Sequence, residues 1–508
     1  MLVATSLAAF TATLDNTVVA VALRDVQADL GAGVAQLQGV VTAYTVALAA
    51  LLLTGGTLAD VAGRRRVVLG GLALFSAASA ACALASSAET LIAARALQGV
   101  GAALVLPGGL AVLAAAYPQP GPRARAVGIW AAAGALALVA GPVVGGLLVA
   151  ASGWPAVFWV NLPLCALVAA VVAFAPQGPP PAPGRRLDLP GQALAAVGLA
   201  AGTYAVVLAG RDGPGAPVLV SALIAVGALT AFAGVERRSP HPVLPLALLR
   251  QRAFLGAGVG AFAASLAVFV LLVFLSLFLQ LVEQRDALPS AVRLLPLTVA
   301  LVLVAPGAGR WAARRGPRTP VVLGLLLSAV GLALTGVRLQ QQMPDVDLAL
   351  LLGLAGVGIG LTTAPVVTAS LDAVARTRSG LAAASVNVAR ELGGVVAVAG
   401  LGALVVARLG SDLTARLLSL GVPGSRSEVL VEALLRGATN TEVVRLADGQ
   451  VPLTALLALR GAAEASYVTS VRVALLGAGA VLVVSAVLCA RLLQPVASQA
   501  GVDQLDDV

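Results

Sequence analysis

Uninterrupted apolar runs of about twenty residues recur along this 508-residue chain, and no other feature restricts its fold as severely. A run of that length crosses the ~30 Å hydrocarbon layer of a bilayer as one helix. Fourteen candidate spans lie near residues 2–23, 37–58, 67–86, 90–113, 126–150, 157–175, 190–209, 216–234, 254–281, 292–309, 319–338, 348–370, 381–407 and 469–493. Strands of a membrane barrel would be about half as long and would alternate apolar with polar side chains. These runs do neither, so the expected class is an all-α, multi-pass membrane protein. Composition agrees, because 11% of residues are charged, against about a quarter in soluble domains.

The charged residues exclude several activities. All 32 basic residues are arginine, so neither the phosphate-binding lysine of a Walker loop nor a Schiff-base lysine is present. The single histidine, His241, sits in the proline-flanked loop Ser239–Pro242, and one imidazole cannot build a histidine-rich metal site. Cys82, Cys165 and Cys489 each fall inside apolar runs and read as small core hydrophobes rather than a metal or disulfide framework. The net charge of +9 is spread in short arginine groups between apolar runs. That distribution belongs to membrane topology and not to a nucleic-acid surface. No clustered nucleophile, base or metal-ligand set marks an enzyme.

Orientation follows from those arginines. Arg64–Arg66, Arg123, Arg125, Arg185, Arg186, Arg237, Arg238, Arg250, Arg252, Arg310, Arg314, Arg315, Arg318, Arg376 and Arg378 fall in one set of loops, seventeen in all. The alternate loops hold five: Arg24, Arg211, Arg285, Arg293 and Arg338. The positive-inside rule puts the larger set, and both termini, in the cytoplasm. The first run starts at Leu2 without a basic segment ahead of it, unlike a secretory signal peptide. The polar stretch 408–468 is expected on the outer side, with short surface helices at patches such as Leu453–Leu459.

Two strings reveal an internal duplication. GTLADVAGRR (Gly56–Arg65) follows the second span and GRWAARRGPR (Gly309–Arg318) follows the tenth, on the same side; Asp60 of the first aligns with Ala313 of the second. Duplicated halves around a central cavity are a recurrent transporter plan. The expected units are a six-helix bundle over 1–176, two inserted helices over 177–253, and a second six-helix bundle over 254–508.

Four strings in order, LDNTVVAVAL (Leu14–Leu23), GTLADVAGRRR (Gly56–Arg66), LIAARALQGVGAA (Leu91–Ala103) and GPVVGG (Gly141–Gly146), resemble the fourteen-helix drug:proton antiporters of the major facilitator superfamily. The likeness extends through FWVNLPL (Phe158–Leu164) and the stretch Gly380–Gly394. It implies a proton-coupled exporter of hydrophobic or amphipathic compounds, active as a monomer in the cytoplasmic membrane. It also implies that no cofactor is held beyond the coupling proton.

Asp15 lies about 12 Å below the outer end of the first span, counting 1.5 Å per residue, and Arg95 lies at a similar depth on the fourth. A carboxylate so deep is costly and faces a cavity or a partner. The resemblance makes Asp15 the proton carrier and Arg95 its basic partner; the plainer alternative is a static ion pair joining the two spans. The carrier reading requires a water route to Asp15 from one face. Arg390 and Glu391 lie about ten residues into the thirteenth span. Neighbours on a helix point about 100° apart, so one faces the cavity and the other pairs elsewhere. A second proton site, a contact to a cationic cargo and a satisfied ion pair are all open readings. Glu283 reads as an interface residue.

Positive-inside topology alone explains Arg64. Asp60, held between Gly56 and Gly63, is different: in relatives this carboxylate closes the cytoplasmic face at a helix start in the other bundle, here near Ser379 and Gly380. Gly141 and Gly145 share a face of the fifth span, and Pro142 interrupts its hydrogen-bond ladder. With Gly134 and Gly146 they form the antiporter hinge of the family. Tyr44, Trp130, Asn161 and Gln280 are polar or aromatic groups at membrane depth and are candidate cavity residues. Alternative cargoes are an endogenous lipid, siderophore or secondary metabolite. A channel or a non-transporting receptor is the reading from a different class; a channel should show charge rings or repeated filter segments, and the sequence has neither.

Overall fold

The computed structural model describes residues 1–174, 187–213, 215–285, 287–419, 427, 431 and 453–493, and among them every regular element is helical. The long helices are α1 (Leu2–Leu30), α2 (Val34–Ala62), α3 (Arg64–Ala83), α4 (Ala88–Ala116), α5 (Pro120–Ser152), α6 (Ala156–Ala173), α7 (Leu189–Asp212), α8 (Ala216–Glu236), α9 (Arg252–Leu281), α10 (Ala287–Arg315), α11 (Arg318–Arg338), α12 (Asp345–Asp372), α13 (Ser379–Ser419) and α14 (Leu453–Leu492). Thirteen are long and apolar enough to cross a membrane unbroken, and α5, bent by 47°, makes the fourteenth. Arg185 and Arg186 lie outside the described residues.

Local chemistry sets the helix ends. Gly63 joins α2 to α3 at φ 95°, a left-handed conformation that disfavours any side chain. The Ser87 hydroxyl accepts from the Thr90 amide and caps α4. Pro120 starts α5, where its missing N–H costs nothing. The bend in α5 falls between Leu138 and Ala140. Pro142 accounts for it: its ring displaces the carbonyl four residues back, that of Leu138, and leaves it without a donor.

Helices α1–α6 pack among themselves, chiefly α2 on α4, α3 on α4 and α1 on α5. Helices α9–α14 do the same through α10 on α12, α11 on α12 and α14, and α9 on α13 and α14. Two broad contacts join the bundles, α5 against α10 and α2 against α13. Helices α7 and α8 pair with each other, and α7 leans on α2 and α13. Most of α8 is uncovered, with Leu219, Leu223, Ile224 and Val226 exposed. An apolar surface of that kind is stable against lipid and not against water. Multi-pass membrane placement follows from the helices themselves.

The stretch 408–468 departs from expectation. Helix α13 continues to Ser419, broken by a wide π turn over Val396–Leu401, and Leu453–Leu459 opens the 40-residue helix α14. Those patches are therefore not separate surface helices. From Leu453 onward the chain is rich in Ala and Leu and has no proline until the helix ends, so the helix propagates past the bilayer boundary. At 1.5 Å per residue α14 is about twice as long as the hydrocarbon is thick.

Candidate functional site

Five helices of the first bundle converge on Asp15. Arg95 and Gln98 are three residues apart on α4 and share a face. Arg95 Nη1 pairs with Asp15 Oδ2 and also donates to Gln98 Oε1 at 2.7 Å. Gln98 Nε2 and Asn161 Nδ2, the latter on α6, donate to Asp15 Oδ1 at 2.7 and 2.6 Å. Ser79 on α3 accepts from Gln98 at 2.8 Å. The Arg95 Nε donates to the Val40 carbonyl on α2 at 3.2 Å, and its guanidinium lies 4.4 Å from the Tyr44 ring centre. Tyr44 in turn donates to the Ala12 carbonyl at 2.9 Å. Asp15 is 1% exposed. Two amides and a guanidinium satisfy its carboxylate, an arrangement that charge-assisted bonds make strong.

This geometry changes the roles of three residues. Tyr44 and Asn161, expected to line a cavity, are instead buried parts of the Asp15 cluster. Asp15 itself does not face the cavity between the bundles. It is sealed inside one bundle, because all its partners come from helices of that bundle. Gln98 and Ser79 were not singled out in the sequence; the i, i+3 spacing of Gln98 from Arg95 was the available signal.

The cavity lies between the bundles. It is lined from α5 by Ala131 and Ala135, from α9 by Ser265 and Phe269, from α12 by Thr363 and from α13 by Arg390. It holds about 40 Å³, room for a few waters. The Arg390 guanidinium lies 5.8 Å from the ring centre of Trp130, which is buried on α5. Among the described residues Arg390 and Glu391 make no ion pair within 4.0 Å, with each other or elsewhere. Among the described residues neither pairs with a charge elsewhere, and the two attract each other electrostatically without direct contact. Gln280 is exposed near the end of α9 and donates to Ser276 at 2.9 Å; it does not line the cavity.

The face carrying the arginine-rich loops is closed. Asp60 accepts from the amides of Gly380 and Leu381 at 2.9 and 3.0 Å, so a carboxylate of one bundle caps the first turn of α13 in the other. Exposed amides and partial positive charge at a helix start explain the preference for an acid. Arg64 sits 3.9 Å from Asp60. Gly56 makes this possible: a Cβ there would overlap the Gly380 carbonyl and lie 2.5 Å from Ala384 Cβ. In the second copy Gly309 packs as closely on the Ala124 backbone. Ala313 offers no carboxylate there. Instead Arg123 at the start of α5 pairs with Asp372 at the end of α12. No sequence signal linked these two, which are 249 residues apart.

The hinge glycines divide. A Cβ on Gly141 would overlap Thr17, and one on Gly145 would lie 3.2 Å from the Val18 carbonyl. Gly146 has open space, and Gly134 meets only Thr17's neighbour on the same helix face, Thr13, at an ordinary 3.9 Å. Only Gly141 and Gly145 are required by close approach. At the opposite face Glu283 ties Arg285 and Arg293, and Arg293 reaches Asp345 at 2.5 Å. Glu283 thus clasps α9, α10 and α12 within the second bundle.

The Major Facilitator Superfamily model matches residues 5–398. The multidrug resistance protein Stp of Mycobacterium tuberculosis is 34% identical over 489 residues, spanning 95% of this chain and 90% of that protein. The puromycin resistance protein pur8 of Streptomyces alboniger is 36% identical over 450 residues, or 88% and 87%. The tetracenomycin C resistance and export protein of Streptomyces glaucescens is 32% identical over 485 residues, or 93% and 87%. Among solved structures, the proton:xylose symporter XylE superposes with a TM-score of 0.57 at 13% identity, over 88% of this chain and 98% of that one. At that identity the likeness is one of fold.

Proposed function

The chain belongs to the Major Facilitator Superfamily of transporters, and on that premise we propose that it exports small hydrophobic or amphipathic molecules in exchange for protons, by alternating access across the cytoplasmic membrane. The resistance and export proteins among its relatives support the direction of transport. The arginine excess supports a cytoplasmic arginine-rich face. On that assignment the closed face is the inner one, and the described conformation belongs to the outward-facing half of the cycle.

One observation carries the proton reading. The bend of α5 presses on α1 through Gly141 at Thr17 and Gly145 at Val18, two and three residues beyond Asp15. Movement of α5 relative to α1 therefore strains the helix that holds the buried acid. In the described state the carboxylate is ion-paired and closed to water. Protonation removes the charge that holds Arg95, Gln98 and Asn161 on it and frees α1 to follow α5. Among the described residues this state has no water route to Asp15, against what the carrier reading requires of it, so that reading depends on a second conformation opening one. Arg95 is the counter-charge, Asp60 and Arg123 with Asp372 hold the inner gate, and the cavity beside Arg390 is where cargo enters as the bundles part.

The test is dye-dependent proton movement in proteoliposomes with an imposed pH gradient. The dyes are rhodamine 6G, Nile red and fluorescein, and lumenal pyranine reports pH. The wild-type protein should release protons on dye addition, and Asp15→Asn should lower that rate at least tenfold while eluting as a folded monomer from size exclusion. Undiminished coupling in Asp15→Asn would leave the Asp15–Arg95 pair as a static strut.

A further inference from the structure

We propose that Arg390 anchors an anionic group on the cargo, such as a carboxylate, phenolate or sulfonate on a flat amphipathic body, within the cavity between the bundles. This deepens the efflux reading and rests on it for the claim that the cavity carries cargo.

Arg390 lies eleven residues beyond Ser379 at the start of α13, about 17 Å along the helix at 1.5 Å per residue. That is near the middle of a ~30 Å hydrocarbon layer. A cation there is expensive and by default faces a pathway or a counter-charge. Arg95 shows how this protein satisfies such a cation: a carboxylate, a side-chain amide oxygen and a backbone carbonyl all accept from it. Arg390 has none of these among the described residues. Among the described residues its five N–H donors have no hydrogen-bond acceptor; the Trp130 ring is a cation–π neighbour, and Glu391 attracts it without direct contact.

The walls around it suit one class of partner. Ala131 and Ala135 on α5 contribute small side chains, Phe269 an aromatic ring, and Ser265 and Thr363 hydroxyl-bearing side chains to the same lining. A planar guanidinium matches a carboxylate with two parallel bonds. Glu391 is the competing anchor and would select cations. It is not among the cavity-lining residues and approaches no cation within 4.0 Å, so a cation in the cavity would meet Arg390 first.

The test uses two dyes on one xanthene scaffold with opposite charge, fluorescein (anionic) and rhodamine 6G (cationic). Their binding to the purified full-length protein is measured by fluorescence polarisation. Wild type should bind fluorescein, Arg390→Gln should weaken that binding at least tenfold, and Arg390→Lys should restore part of it. Rhodamine 6G binding should be unchanged or stronger in Arg390→Gln, which also reports that the variant is folded. The inference is overturned if wild type does not bind fluorescein, if Arg390→Gln binds it as well as wild type, or if both dyes weaken equally. If fluorescein binds through Arg390 but no dye moves under a pH gradient, the transport reading fails and the anion site stands.

Discussion

Charges inside the first bundle and charges between the bundles are handled in opposite ways. Asp15 is satisfied three times over, and every partner comes from the same bundle. Asp60 and Arg123 find their partners across the interface, on Gly380, Leu381 and Asp372. Arg390, on the cavity wall, meets the Trp130 ring and, among the described residues, no hydrogen-bonding or ion-pair partner. The interior cluster behaves as part of a rigid body, because breaking it strands a buried charge. The interface contacts are exchangeable, because water can replace each partner when the bundles separate. A transporter needs both: a unit that stays intact and a seam that opens.

The widest separation is expected between the two buried arginines. Arg95→Ala strands Asp15 and should cost about 3–5 kcal/mol of stability, the usual penalty for removing one member of a buried pair. Arg390→Ala should change stability by no more than about 1 kcal/mol, because no bond is broken. Thermal unfolding in detergent measures both, and equal losses would erase the distinction between interior and seam. Next comes Asn161→Leu, which removes one donor from an ionised carboxylate and should cost about 1.5–3 kcal/mol with little change in which face is open.

Substitutions at the seam should do the reverse. Asp60→Asn keeps one acceptor oxygen and loses the charge, so it should favour opening of the arginine-rich face by roughly tenfold, about 1.4 kcal/mol. Maleimide labelling of Ser379→Cys, at a buried position beside the cap, reads this out. The native cysteines are all buried and give little background. Arg123→Gln should shift labelling less, by about fivefold or under, because Asp372 is 37% exposed and partly exposed pairs are worth about 0–1 kcal/mol. A larger response to Arg123→Gln than to Asp60→Asn would invert the ranking of the two latches.

Much of this was legible beforehand. Apolar run length gives the helix class, and the resemblance to the family places Asp60 opposite Ser379 and Gly380. Matching depths paired Asp15 with Arg95. What failed were statements about which way a side chain faces. Hydropathy separates membrane from water and does not separate a bundle interior from a cavity. Tyr44, Asn161 and Gln280 therefore look alike in sequence, yet the first two are buried in the Asp15 cluster and the third is exposed. The Arg123–Asp372 pair was invisible because its members belong to different halves. The helix α14 starts earlier than its apolar run because Arg460 and Glu464 interrupt the hydropathy of a segment that Ala and Leu keep helical.

The sequence by itself determined that the chain must bury its backbone in helices, how many times it crosses the bilayer and which loops share a face, since each follows from transfer of apolar and charged groups between water and lipid. Only the tertiary structure decided which buried charges are partnered. That depends on the rotation of each helix against its neighbours, where a turn of 100° exchanges a saturated interior for an open cavity.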